Sequence, residues 1–146
     1  MSWFKTKVTY PTDSRWSVLQ GKNADQPMLV RRNESAKVLK AHGGYRARVG
    51  IAVKLLEITA DGFPSPHELS VLNSLEDALA LAFEAKQNAI HALTITTSGF
   101  REYVFYSKET VDLSAALAIV RAKFNNYEIQ FYAAEDADWR VYDEFG

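Results

Sequence analysis

The stretch that decides the fold is Ile90-His91-Ala92-Leu93-Thr94-Ile95-Thr96-Thr97-Ser98-Gly99-Phe100-Arg101-Glu102-Tyr103-Val104-Phe105-Tyr106. Leu93 and Ile95 alternate with threonines, Thr97-Ser98-Gly99 makes a tight turn, and an aromatic run leads away from it. Gly99 supplies the positive φ that a three-residue hairpin loop requires before the return strand. The return strand is apolar on both parities, with Tyr103 and Phe105 on one and Val104 and Tyr106 on the other. A strand with two greasy faces belongs inside a sheet that is covered on both sides.

Upstream, Tyr45, Ala47, Val49, Ile51, Val53 and Leu55 share one parity, while Arg46, Arg48, Gly50, Ala52 and Lys54 share the other. This is a long strand with one greasy face and one small or basic face. Asp61-Gly62-Phe63-Pro64 then turns the chain. Ser65 is a helix N-cap, Pro66 sits at the first helical position, and Glu68 completes a capping box. Leu69, Leu72, Leu75 or Glu76, Leu79 and Phe83 form the buried stripe of that helix, leaving Glu68, Asp77 and Lys86 in water. Beyond the hairpin, Asp112 caps a second helix with the stripe Leu113, Leu117, Val120 and Phe124. Tyr127, Ile129 and Phe131 alternate along a last strand. Trp139, Tyr142 and Phe145 are spaced for a closing helical turn that docks its aromatics.

From residue 45 to 133 the order is β-α-β-β-α-β, so the expected fold class is α+β, a ferredoxin-like sandwich. To it are added an N-terminal β-hairpin over 15–32 and a short C-terminal helical turn. Residues 1–14 read as a loose arm, Glu34 to His42 as helical turns stopped by Gly43-Gly44, and 135–146 as an acidic aromatic cap, all within one domain spanning 1–146. Both helices should cover one face of the sheet. The hairpin with Trp16, or a second copy of the chain, is the expected cover for the other.

Composition sets further limits. The chain has 146 residues, 47% hydrophobic and 24% charged, enough for one proper core. It contains no cysteine, which excludes thiol nucleophiles, thiolate metal sites and disulfides. No secretory h-region or membrane-length apolar run occurs, so a cytoplasmic location is expected. Residues 1–54 carry eleven Lys or Arg against three acidic residues, a net of +8, while the remainder carries six against fifteen, a net of −9. The expectation is that the halves pack side by side and neutralise each other; the alternative is a basic binding face.

Several separate runs carry a resemblance. They are Pro27-Met28-Leu29-Val30-Arg31, Arg48-Val49-Gly50-Ile51-Ala52-Val53, Gly62-Phe63-Pro64, Leu75-Glu76-Asp77, Ile95 to Glu102, Val104-Phe105-Tyr106 and Glu135-Asp136-Ala137-Asp138-Trp139, together with Trp16 followed by Gly21. The chain resembles the bacterial family known as domain of unknown function 695. The likeness implies a compact α+β module, in some proteins joined to a domain like the ribonuclease E inhibitor RraB. It brings no catalytic residues and no cofactor.

The residues offer little chemistry of their own. His42, His67 and His91 lack metal-ligand spacing, so no metal is expected. His91 lies too far along its strand to serve Ser98 as a base, and no catalytic residue is assigned. No phosphate-cradling glycine motif occurs, so no cofactor is expected. Gly50 and Ala52 leave a shallow hollow in the basic face, to be filled by a large side chain or used as a pocket rimmed by Arg48 and Lys54. The candidate partner- or ligand-binding residues are Arg46, Arg48, Gly50, Lys54, Arg101, Glu102, Tyr103 and Trp139. The leading expectation is a small regulatory module acting through protein contacts, with a homodimer across the sheet. The alternative is a binder of, or enzyme for, a small anionic molecule. RNA binding comes third, because the paired aromatics of an RNP1-type run are missing.

Overall fold

The computed structural model describes residues 9–146, and residues 1–8 of the expected arm lie outside it. Six strands form one antiparallel sheet: β1 (Trp16–Asn23), β2 (Gln26–Asn33), β3 (Ala47–Lys54), β4 (Ala89–Thr97), β5 (Phe100–Ser107) and β6 (Ile129–Glu135). Their spatial order is β1-β2-β4-β5-β3-β6. The helices are α1 (Lys37–His42), α2 (Pro66–Phe83), α3 (Ser114–Lys123) and α4 (Arg140–Glu144). The β4–β5 connection is one residue tighter than the sequence suggests. Only Ser98 and Gly99 lie between the strands, at φ 54° and 80°, the paired left-handed conformation that matches strand twist.

β5 is an interior strand, and Tyr103, Val104, Phe105 and Tyr106 are all fully buried. On one side, hereafter the helix face, α2 and α3 pack Leu72, Leu75, Leu79, Phe83, Leu117 and Val120 onto Val49, Ile51, Val53, Tyr103 and Phe105. On the other, the cap face, the cover differs from the one expected. The N-terminal hairpin does not lie over the sheet; β2 pairs edge-on with β4 and widens it. The space over Ile90, Leu93, Val104 and Tyr106 is filled by Leu39 of α1, by Tyr45, and by Trp139 and Tyr142 of the C-terminal turn. Within residues 9–14, Tyr10 docks, its hydroxyl donating to the Ala89 carbonyl at 2.7 Å.

Two details of α2 depart from the sequence reading. Leu69 is 40% exposed, because the buried stripe begins one turn later, at Leu72. Glu68, expected in water, is buried. Ser65 Oγ does accept from the Glu68 amide at 3.1 Å. The Glu68 carboxylate does not return the bond. It accepts instead from the amides of Leu56 (2.7 Å) and Glu57 (2.8 Å) and from the Tyr127 hydroxyl (2.7 Å). It thereby pins the loop between β3 and α2, as a buried carboxylate must be satisfied by donors.

The split charge resolves internally. Arg31–Glu76, Arg32–Asp143, Lys40–Asp143, Arg46–Glu109, Arg46–Glu135 and Arg48–Asp136 all join the basic half to the acidic half. Among the described residues no helix is long and apolar enough to cross a membrane.

Candidate functional site

The eight residues singled out from sequence do not converge. Arg46 stands exposed at the start of β3, bonded to Glu109 (2.9 Å) and Glu135 (3.4 Å). Arg48, Gly50, Lys54 and Glu102 belong to the cap face, whereas Arg101 and Tyr103 point to the helix face. The pairings Gly50↔Val104 and Val53↔Arg101 fix this division. The hollow above Gly50 is filled. Tyr132 of β6, cross-strand from Gly50, lies so close that a Cβ at Gly50 would overlap its ring. The Tyr132 hydroxyl then donates to Glu102 Oε2 at 2.6 Å.

Trp139 and Arg48 take part in a lock on the cap face. Trp139 stacks on Tyr106 at 4.0 Å between ring centroids, and its indole N–H donates to the Tyr45 carbonyl at 2.7 Å. These contacts hold its backbone at φ 55°, a conformation costing about 1 kcal/mol or more in a bulky residue. Asp136 accepts from the Tyr106 hydroxyl (2.7 Å), the Arg140 amide (2.8 Å) and Arg48 (3.1 Å). Burial alone would raise the Asp136 carboxyl, but these donors and the Val141 amide outweigh it and hold it below the ordinary carboxylate range. Arg48 Nε is buried without a hydrogen-bond partner.

A second polar group, on the helix face, was not assembled by sequence reasoning. It lies where α2 passes beside the β1–β2 wing. Thr94 and Thr96 project from β4, cross-strand from Arg31 and Leu29 of β2 on one side and from Tyr103 and Arg101 of β5 on the other. His91 joins them because β4 bulges between His91 and Leu93. Strict alternation would put His91 on the same side as Leu93; the extra residue turns it to the threonine side. There it stacks on Phe105 at 4.8 Å and meets Trp16 at the same distance.

The hydrogen bonds in this layer have a direction. His91 Nε2 lies 3.0 Å from the Leu93 carbonyl, which can only accept, so Nε2 carries the proton. It also lies 2.9 Å from Thr94 Oγ1. Thr94 in turn donates to Glu76 Oε1 at 3.2 Å, and Arg31 donates to the same oxygen at 2.8 Å. Burial drives the His91 imidazole down to about 4, against the Glu76 carboxylate and with help from Arg31. A neutral imidazole that already donates through Nε2 cannot take the Thr94 proton, so this is not a nucleophile–base pair.

Arg101 is the anomaly of the layer. It is 4% exposed, donates through Nε to Thr96 Oγ1 at 2.9 Å, and among the described residues no carboxylate approaches within 4.0 Å. Arg32, equally buried, has Glu34 at 2.9 Å. A buried guanidinium without an anion is costly. Arg31, half-buried and lying over the Trp16 ring at 4.7 Å, is by contrast paired with Glu76 at 2.8 Å.

The sequence signature of a family of unknown function, DUF695, matches residues 14–145. The chain belongs to that family. The match takes in both polar groups, the sheet and every helix of the described residues. No curated protein and no solved structure matches the chain. Among the described residues no three His, Asp or Glu side chains gather as a metal site would require.

Proposed function

We propose that this member of DUF695 is a binding module without catalytic chemistry of its own, and that it receives the oxyanion of a small ligand, a carboxylate or a phosphate, at Arg101. The single observation that carries this reading is the buried, carboxylate-free guanidinium of Arg101. In a low-dielectric layer an incoming oxyanion gains strongly from a fixed guanidinium and a neighbouring hydroxyl, and Thr96 supplies that hydroxyl. The neutral His91 adds no competing charge, and the charge of Arg31 is already paired with Glu76 at 2.8 Å, leaving Arg101, among the described residues, as the uncompensated cation of the layer. We also read β3-α2-β4-β5-α3-β6, with strand order β6-β3-β5-β4, as a ferredoxin-like unit widened by the N-terminal hairpin.

Thermal unfolding with added phosphate, and separately succinate, against chloride at matched ionic strength tests this reading. Saturating oxyanion should raise the midpoint by roughly 5–10 °C through mass action. Arg101→Met should be as stable as the parent or more so without anion, because a buried charge has been replaced by an apolar chain, and should lose the shift. An equal response to chloride, or a shift retained in Arg101→Met, overturns the proposal.

A second reading, regulation through protein contacts, is favoured by the outer surface of the helix layer. Leu81 (80% exposed) and Ile119 (66% exposed) flank a groove of about 240 Å³ lined by Ala78, Ala82, Val120 and Lys123. Isolated exposed apolar residues are ordinary, whereas a pair bordering a groove suits a docking helix. Leu81→Asp should leave stability within about 0.5 kcal/mol yet abolish capture of a partner that Arg101→Met still captures. Retention of that partner by Leu81→Asp removes this reading. RNA binding is not favoured, since Tyr103, the aromatic of β5 that the sequence offered for stacking, is fully buried.

A further inference from the structure

The two edges of the sheet differ in how they are closed. β6 presents its outer side beside α3, and Arg121 donates to the Ile129 carbonyl at 2.7 Å, blocking one of its free acceptors. Among the described residues β1 has no such guard. It is eight residues long, contains no proline, and is uncharged from Trp16 through Gly21. It also exposes Val18 at 60% and Leu19 at 39% on its two faces. Natural sheets blunt such edges with charge, proline, bulges or cover, because a free ladder of amides and carbonyls pairs readily with another strand.

The register states which groups are free. A two-residue turn, Ala24-Asp25, joins β1 to β2, so Asn23 and Gln26 flank it as a hydrogen-bonded pair. The bonded pairs recur at every second residue, and the series reaches Arg15, whose carbonyl accepts from the Glu34 amide at 2.7 Å. The amides and carbonyls of Trp16, Val18, Gln20 and Lys22 therefore point away from β2.

We propose that β1 is the dimerisation edge, taking β1 of a second copy antiparallel to itself, with the two-fold axis at Leu19. In this register Val18 lies opposite Gln20, Trp16 opposite Lys22, Ser17 opposite Gly21, and Leu19 opposite its own counterpart. The four outward-pointing residues of each chain then form the bonded pairs, and the sheet becomes twelve-stranded. The occupant follows from the sequence of the strand. Antiparallel pairing brings the two Leu19 side chains together and keeps Lys22 and Arg15 away from like charges. A parallel pairing in register would set Lys22 against Lys22. The arrangement is isologous, as a closed two-fold contact requires. It is independent of the cap face, which the chain fills for itself, and touches the Arg101 layer through the Trp16 side chain, which meets His91.

Light scattering coupled to size-exclusion chromatography across a concentration series tests the proposal on the full chain. The parent should pass from monomer to dimer as concentration rises. Gln20→Pro removes one outward amide without touching the β2 ladder, and Leu19→Lys sets two ammonium groups face to face. Both variants should remain monomeric with the parent's circular dichroism. Amide exchange on the parent supplies a readout that needs no variant: the Val18, Gln20 and Lys22 amides should gain protection as concentration rises. A parent that stays monomeric, a dimer that both variants retain, or exchange at these amides that does not depend on concentration overturns the proposal.

Discussion

The two faces of β5 are covered by opposite strategies. On the helix face, two continuous amphipathic helices lay down stripes of leucine and phenylalanine, and most contacts come from residues three or four apart within one segment. On the cap face the cover is assembled from fragments. Trp139 bonds the Tyr45 carbonyl, the Tyr142 hydroxyl donates to the Asn33 carbonyl, and Arg32 Nε donates to the Tyr142 carbonyl at 3.1 Å, joining residues about a hundred positions apart. Arg32 also lies over the Tyr142 ring at 3.7 Å. A helix holds its stripe in register through its own backbone, whereas a five-residue turn depends on specific polar ties to the sheet. The cap face therefore concentrates its stability in a few side chains.

That contrast can be broken by truncating the cap's anchor. Trp139→Ala removes the ring stacked on Tyr106 and the indole bond, and releases a backbone held at positive φ. It should cost about 3–5 kcal/mol, the range for buried aromatics, measured by denaturant unfolding. A loss under 1 kcal/mol would mean that the cap face is not the concentrated half. The helix face is sharpened by pH. His91 is buried neutral, with its folded value near 4 against an ordinary 6.5, so between these values the unfolded chain binds a proton that the folded chain refuses. Stability is full above about pH 6.5 and declines as pH falls toward 4, by on the order of 3 kcal/mol. His91→Phe should flatten that slope, and an unchanged slope would mean that His91 is not the source of the acid sensitivity between pH 6.5 and 4. The Glu34 carboxyl is held down to about 2 by Ser17, Lys37 and Arg32 against the effect of its burial, so its contribution is lost at still lower pH.

Much of the fold can be read without coordinates because it is encoded locally. The Ser65-Pro66 start of α2, the Gly43 stop after α1 at φ 80° and the interior character of β5 each rest on a few adjacent residues. The aromatic spacing of Trp139, Tyr142 and Phe145 likewise announced a docked closing turn. The Arg101 layer was less legible. Arg101 and Tyr103 were noted, but beside Arg48 and Lys54, which the sheet places on its opposite face. Glu76, Thr94 and His91 gave no usable signal, because the bulge in β4 that unites them with Arg31 reverses the side-chain parity and leaves no mark in the alternation of Leu93 and Ile95. Glu68 misled for a related reason: a capping-box position ordinarily faces water, and only the return of Tyr127 and the β3–α2 loop buries it.

What the sequence determined by itself is the set of elements, because backbone conformation and amphipathic period are properties of neighbouring residues. It also determined that β5 must be covered twice, since four consecutive apolar side chains cannot all face one side of a strand. What only the tertiary structure decided is which distant fragments provide that cover, that the N-terminal hairpin extends the sheet instead of lying over it, and that Tyr132 occupies the space above Gly50. Those outcomes depend on strand order and register, which are settled by packing between residues far apart in the chain and leave no periodic trace along it.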